Sequence, residues 1–145
     1  MEAPKDKIAA YKAYITKRPK SYIGYNNLAA VYINTQKISD AKSTIEKGIK
    51  SAGENDSFHC NLGVVYRAEG DLEKAMASYE KAAQKGIPTG YHKGIIHIIN
   101  GNYDMAKESI PTSACDYNTA LLALMSGDYD AVMSEINCQK NLLRI

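Results

Sequence analysis

No apolar run in this chain of 145 residues is long enough to cross a bilayer. Ile95-Ile96 and Ile98-Ile99, interrupted by His97, fall far short of the ~20 residues a transmembrane helix requires, so membrane insertion is not expected. The N-terminal stretch alternates lysines with single apolar residues and has no h-region; no signal peptide is read in this chain, and an exported protein would already have lost its own. Cysteine is scarce: Cys60, Cys115 and Cys138 contain no CxxC pair and are too few for a disulfide framework. They read as small buried residues and leave the compartment open. Also missing are GxGxxG, a Walker-type glycine loop, HExxH and GxSxG, the short patterns that announce nucleotide, zinc or acyl-transfer chemistry.

What remains is the composition of one soluble domain, residues 1–145, with 45% hydrophobic and 23% charged residues and a net charge of +2. That total hides an asymmetry. Residues 1–50 carry +6 and residues 51–145 carry −4, so the N-terminal third is electropositive.

The organisation of the chain is set by a repeat. Asn27-Leu-Ala29-Ala-Val-Tyr32 returns 34 positions later as Asn61-Leu-Gly63-Val-Val-Tyr66, with an echo in Asn118-Thr-Ala120. A turn residue (Gln36, Gly70, Gly101, Gly127) recurs at a fixed distance after each small residue, and an apolar residue (Ile38, Leu72, Tyr103, Tyr129) follows each turn. Units start near residues 22, 56, 87 and 113. Within them Tyr25, Leu28, Ala29 and Tyr32, and again Leu72, Ala75, Met76 and Tyr79, fall at i, i+3, i+4 and i+7, one face of a helix each. Each unit therefore predicts two amphipathic helices. Gly70, Gly101 and Gly127 suit the left-handed residue that closes a helix, and Asp71, Asn102 and Asp128 suit the cap of the next. Gln36-Lys37 lacks both devices, so packing is expected to hold that corner.

These residues resemble the tetratricopeptide repeat over essentially residues 5–139. The resemblance is strongest in the first two full units; Lys93, Thr119, His97 and Ala123 depart from it in the last two. Tyr11, Tyr14 and Pro19 fit the second helix of a preceding half unit, residues 5–21. It implies an all-α fold, a right-handed α-solenoid of antiparallel helix pairs with about four units plus the half unit. A narrower resemblance, in Asp116–Leu122 and Ser126–Ala131, is to terminal repeats of tetratricopeptide proteins associated with OmpA-like outer-membrane proteins of Gram-negative anaerobes. It implies a periplasmic or cell-envelope setting.

Catalysis is not expected. His92 and His97 are five residues apart, about 140° around a helix, and do not share a face. His59 occupies a packing position, and its neighbour Cys60 points elsewhere. Asp128 and Asp130 read as a cap and a first-turn charge. No metal site, cofactor or small-molecule substrate is called for.

The candidate site is a groove. First helices of stacked pairs line a continuous concave surface able to hold a partner segment. The family resemblance places Asn26 and Asn27, then Cys60, Asn61, Val64 and Arg67, then Tyr91, His92 and Ile95, then Tyr117, Asn118 and Leu121 along it as a peptide-binding surface, graded from polar to apolar and aromatic. The recurring Asn27, Asn61 and Asn118 can either grip a peptide main chain or bond a neighbouring helix. The clamp by which chaperone-binding members of the family hold a terminal carboxylate is not reproduced: only Asn61 matches, beside Asn26, Ala30, Pro88 and His92. The basic cluster Lys12, Lys17, Arg18 and Lys20, interleaved with Tyr11, Tyr14, Tyr22 and Tyr25, invites a nucleic-acid reading. Those tyrosines fall on or near packing positions, which disfavours it. The function expected is therefore a non-catalytic protein-interaction module with a protein or peptide partner, or else a structural scaffold within a larger envelope protein. Oligomeric state is left open.

Overall fold

The computed structural model describes residues 3–110 and 127. Among the described residues every regular element is a helix: α1 Pro4–Lys17, α2 Tyr22–Asn34, α3 Ile38–Ala52, α4 Asp56–Glu69, α5 Leu72–Gln84, α6 Gly90–Ile99 and α7 Tyr103–Ser109. The chain divides into two compact units, Met1–Thr89 and Gly90–Ile145.

In the first unit, α2 pairs with α3 and α4 with α5. The apolar stripe of α2 (Tyr25, Leu28, Ala29, Tyr32) and that of α3 (Ala41, Ile45) close on one another and on Phe58, Leu62 and Val65 of α4 to form a continuous core. The half-helical unit α1 has no fully buried residue; Ile8, Tyr11 and Ile15 lay one face against that core. Small residues set the spacing. A methyl group on Gly63 would collide with the Tyr79 ring, and one on Gly48 would lie 2.7 Å from Phe58 and 2.8 Å from Tyr25. Tyr79 is fully buried there, and the hydroxyl of Thr89 donates to its carbonyl at 3.1 Å.

The corner after α4 closes as the glycine predicts. Gly70 takes φ 85°, the N–H of Asp71 reaches the Tyr66 carbonyl at 2.9 Å, and the Asp71 side chain accepts from the Lys74 N–H at 3.1 Å. The corner after α2 differs from expectation. Gln36 itself adopts φ 61°, and the Lys37 N–H reaches the Tyr32 carbonyl at 2.8 Å, the same closure made without glycine. Hydrogen bonds satisfying the last carbonyls, and not packing alone, shape it.

In the second unit, α6 pairs with α7. Gly94 lies directly against Ile110, and Ile96, Ala106 and Ile110 are buried. Gly101 takes φ 75°, with the Asn102 N–H on the His97 carbonyl at 2.8 Å. Asn102 does not cap α7 with its side chain, contrary to expectation: the backbone bond already closes the turn. Gly127 has φ 74°; Asp128 lies outside the described residues.

Candidate interaction groove

The first helices of the two complete pairs in the first unit, α2 and α4, are in contact. Each sends one stripe into the core and leaves another on the far side. On α4 the inward stripe is Phe58, Leu62 and Val65. Cys60, Asn61, Val64 and Arg67 form the outer stripe, all half-buried, at the i, i+1, i+4 and i+7 spacing of a single helix face. On α2 the equivalent residues are Asn26 and Asn27, half-buried, beside Ile23, which is 44% exposed.

The two stripes meet through amides. Asn61 Nδ2 donates to Asn26 Oδ1 at 2.8 Å and approaches the Asn26 carbonyl at 3.4 Å. Of the two roles read for the recurring asparagine, Asn61 therefore fills the inter-helix one. The bond uses one amide's donor and the other's acceptor. That bond leaves the Asn26 side-chain N–H groups and the Asn61 side-chain oxygen uncommitted to each other, one donor set and one acceptor.

Beneath this stripe stands Tyr79 of α5. Cys60, Gly63 and Arg67 follow one ridge of α4, and the Tyr79 ring lies against Gly63. Burial pushes the phenol up to about 12; Arg67 opposes that shift and Cys60 adds to it, so both are within electrostatic reach of the ring. Burial likewise pushes the Cys60 thiol up, which makes it a weaker nucleophile. One guanidinium nitrogen of Arg67, Nη1, is buried with no hydrogen-bond partner among the described residues. Tyr79 read as a core residue in the sequence; Gly63 opposite a large aromatic one repeat element away was the signal that its ring would reach the groove-lining ridge.

In the second unit Tyr91 is 39% exposed and meets the His92 ring edge-on at 5.7 Å. Ile95 is half-buried on the same helix, while Gly94 and Ile96 turn inward. Tyr117, Asn118 and Leu121 lie outside the described residues.

The basic N-terminal cluster is occupied differently. Arg18 stacks over the Tyr14 ring at 5.7 Å, the Tyr14 hydroxyl contacts Ser21 at 3.4 Å, and the Tyr25 hydroxyl donates to the Pro19 carbonyl at 3.0 Å. Tyr14 and Tyr25 are thus engaged within the protein, whereas Tyr22 is 39% exposed and meets the Phe58 ring edge-on at 6.5 Å. A second concavity of about 470 Å³ opens between α1 and α3, floored by Tyr25, Leu28 and Tyr32 and rimmed by Lys12, Lys47 and Asp40. Among the described residues no three His, Cys, Asp or Glu side chains are placed to hold a metal ion, and no helix is long and apolar enough to cross a membrane.

Comparison with known proteins agrees with the pairing of the helices. The tetratricopeptide repeat family model matches residues 23–55 and 57–84, the α2–α3 and α4–α5 pairs, and the chain carries tetratricopeptide repeats there. No curated protein matches the chain. Among solved structures it is similar to a chain in the crystal structure of the APC/C hetero-tetramer Cut9–Hcn1, at 16% identity and a TM-score of 0.77, over 97% of this chain and 29% of that one. It is also similar to a tetratricopeptide repeat protein from Parabacteroides merdae, at 21% identity and a TM-score of 0.64, over 90% of this chain and 56% of that one. The fold is thus an all-α solenoid of antiparallel helix pairs. The chain spans about a third of the first of these neighbours and just over half of the second.

Proposed function

We propose that the protein is a non-catalytic protein-interaction module that binds a peptide or protein segment along the α2–α4 face. One observation carries the reading: α2 and α4 bury one stripe each and leave on the other a half-exposed strip with a prearranged amide donor and acceptor, Asn26 and Asn61. An extended chain needs partners for its own N–H and C=O groups, and a rigid pair supplies them with little ordering cost. The tetratricopeptide repeats in residues 23–84, and the appearance of similar folds in an assembly of several chains, support the same reading.

Site-specific photo-crosslinking tests it. Benzoylphenylalanine placed at Ile23 or Asn27 should capture a discrete protein from the source extract, and the same group at Lys81, exposed on α5, should not. Capture from Lys81 alone, or from none of the three, would remove the groove from consideration.

The second reading, a scaffold segment of a larger cell-envelope protein, is supported by the resemblance of Asp116–Leu122 and Ser126–Ala131 to terminal repeats of envelope-associated proteins and by the greater length of the solved neighbours. Fractionation of source cells with an antibody to this chain addresses it: recovery from the periplasm or envelope supports it, and recovery from the cytosol rejects it.

A further inference from the structure

The concavity between α1 and α3 differs from the equivalent place one repeat further along. A shift by the 34-residue repeat carries Lys12 onto Glu46, Tyr32 onto Tyr66 and Lys47 onto Lys81. At the later positions the chain satisfies its own charges. Lys42 pairs with Glu69 at 3.0 Å, Lys42 and Lys74 lie over the Tyr66 ring at 5.4 and 5.7 Å, and the register sets an acid, Glu46, on the helix before Lys81.

None of this recurs between α1 and α3. Ile8 and Asp40 stand where Lys42 and Lys74 stand in the next repeat, so no cation covers the Tyr32 ring among the described residues. Lysine replaces glutamate at position 12, so each wall brings a lysine to the rim, Lys12 from α1 and Lys47 from α3. Neither forms an ion pair among the described residues. Thr16 and Thr44 spend their hydroxyl protons on the carbonyls of Lys12, at 3.0 Å, and Asp40, at 2.7 Å, whereas the exposed Ser43 hydroxyl is left to donate. Asp40, the single carboxylate of the lining, is two turns along α3 from Lys47. Gly48, next to Lys47, packs on Tyr25, and Gly24 packs on Ile15, which joins the lysines to the Tyr25 end of the floor. Two like charges over an apolar floor with no acid between them leave a place for an anion. The surrounding field has the same sign: the first compact unit, Met1–Thr89, has a net charge of +4 from 14 Lys/Arg and 10 Asp/Glu.

We infer that this concavity binds a small amphipathic anion, with an apolar body against Ile15, Tyr25 and Leu28 and a phosphate or carboxylate group between Lys12 and Lys47. Its volume of about 470 Å³ falls within the roughly 300–1,000 Å³ of small-molecule sites, which combine an apolar lining with a few convergent polar groups in this way. The site shares no residue with the α2–α4 strip and stands or falls apart from the groove reading.

The test is a titration of the whole chain, followed by 1H–15N NMR, with three probes of one shape: 1-naphthyl phosphate, 1-naphthoate and neutral 1-naphthol. One or both anions should perturb the amides of Thr16, Ser43, Thr44 and Lys47, and the anion that binds more tightly identifies the group the lysines prefer. Naphthol should bind at least several-fold more weakly. Lys12→Glu combined with Lys47→Glu should weaken the anions by about tenfold and leave naphthol unchanged. Ser43→Trp, which places an indole in the opening from an exposed position, should abolish all three; urea midpoints of both variants establish that they remain folded.

Equal affinity for naphthol and the anions overturns the inference, because the concavity would then not select by charge. Anion binding indifferent to the lysine reversals, shifts confined to residues outside α1–α3, or no shift by either anion up to about 5 mM overturns it as well.

Discussion

Two side chains in the first unit are held in states unusual for their type, and each yields a measurable consequence. Gln36 sits in the left-handed region at φ 61°, where a side chain with a Cβ costs about 1–2 kcal/mol relative to glycine. The hydrogen bonds from Gln36 to Ile33 and from Lys37 to Tyr32 hold it there. Gln36→Gly should therefore stabilise the protein by about 0.5–1 kcal/mol, after subtracting the greater freedom glycine has in the unfolded chain. A higher urea midpoint with an unchanged slope is the expected reading; a lower midpoint would mean the Gln36 side chain makes a contact worth more than the strain. Tyr79 is the second case. Its phenol, ordinarily 10.0, is pushed up to about 12, first by burial. A group whose folded value is raised contributes stability that is intact below pH 10 and lost as pH rises toward 12. Wild type should thus lose more stability between pH 10 and pH 12 than Tyr79→Phe does, as read from urea midpoints at each pH. Parallel pH profiles would show that the phenol ionises as readily in the folded state as in the unfolded one.

At the scale of the helix pair, contact distance is set by which positions lack a Cβ. Gly63 admits the Tyr79 ring, Gly48 admits Phe58 and Tyr25, and Gly94 admits Ile110. Gly63→Ala should destabilise by about 1–3 kcal/mol, because the obstructing atoms belong to a rigid, fully buried ring with no room to move aside. Gly53, at φ 84° with open space around its Cβ position, provides the contrast: Gly53→Ala is strained only in its backbone. Equal losses in the two variants, by urea unfolding, would contradict close packing as the determinant. The pairing itself was legible before any coordinates, because the recurrence of small, turn and apolar residues repeats the physical requirements of one helix hairpin. Ile38, Leu72 and Tyr103, the apolar residues after each turn, are the first residues of α3, α5 and α7. The corner at Gln36 was not legible, since nothing in a glutamine announces a positive φ; the carbonyls of Tyr32 and Ile33 impose it. The Asn61–Asn26 bond was equally hidden. It joins residues 35 apart and depends on the rotation of two helices about their axes, which periodicity leaves undetermined. The unpartnered Nη1 of Arg67 is likewise a property of packing and not of spacing.

At the scale of the molecule, the division into Met1–Thr89 and Gly90–Ile145 places Asn26, Asn61 and Arg67 in the first unit and Tyr91, His92 and Ile95 in the second. The core built from Tyr25 through Val65 is contributed wholly by residues of the first unit, as are Tyr79, Ala82 and Thr89, which lie buried in or beside α5. Stacked repeats draw their stability from adjacent elements, so a unit with a core of its own is expected to fold without distant ones. Residues 1–89 alone should therefore give a helical circular dichroism spectrum and a single cooperative urea transition. They should also retain whatever binding of a partner segment the full chain has along α2 and α4, because both helices belong to them. A fragment without a cooperative transition would show that the first unit is completed by residues 90–145. A folded fragment that has lost binding would show that the second unit, with exposed Tyr91 beside His92, supplies part of the recognition surface. The net charges, +4 on the first unit and −2 on the second, let salt dependence separate retained from lost recognition as well. Removing the acidic unit should strengthen the salt-dependent attraction of the fragment for any anionic partner segment, so a fragment that binds more tightly than the full chain at low ionic strength, and equally at high, would place recognition in α2 and α4 and long-range repulsion in residues 90–145.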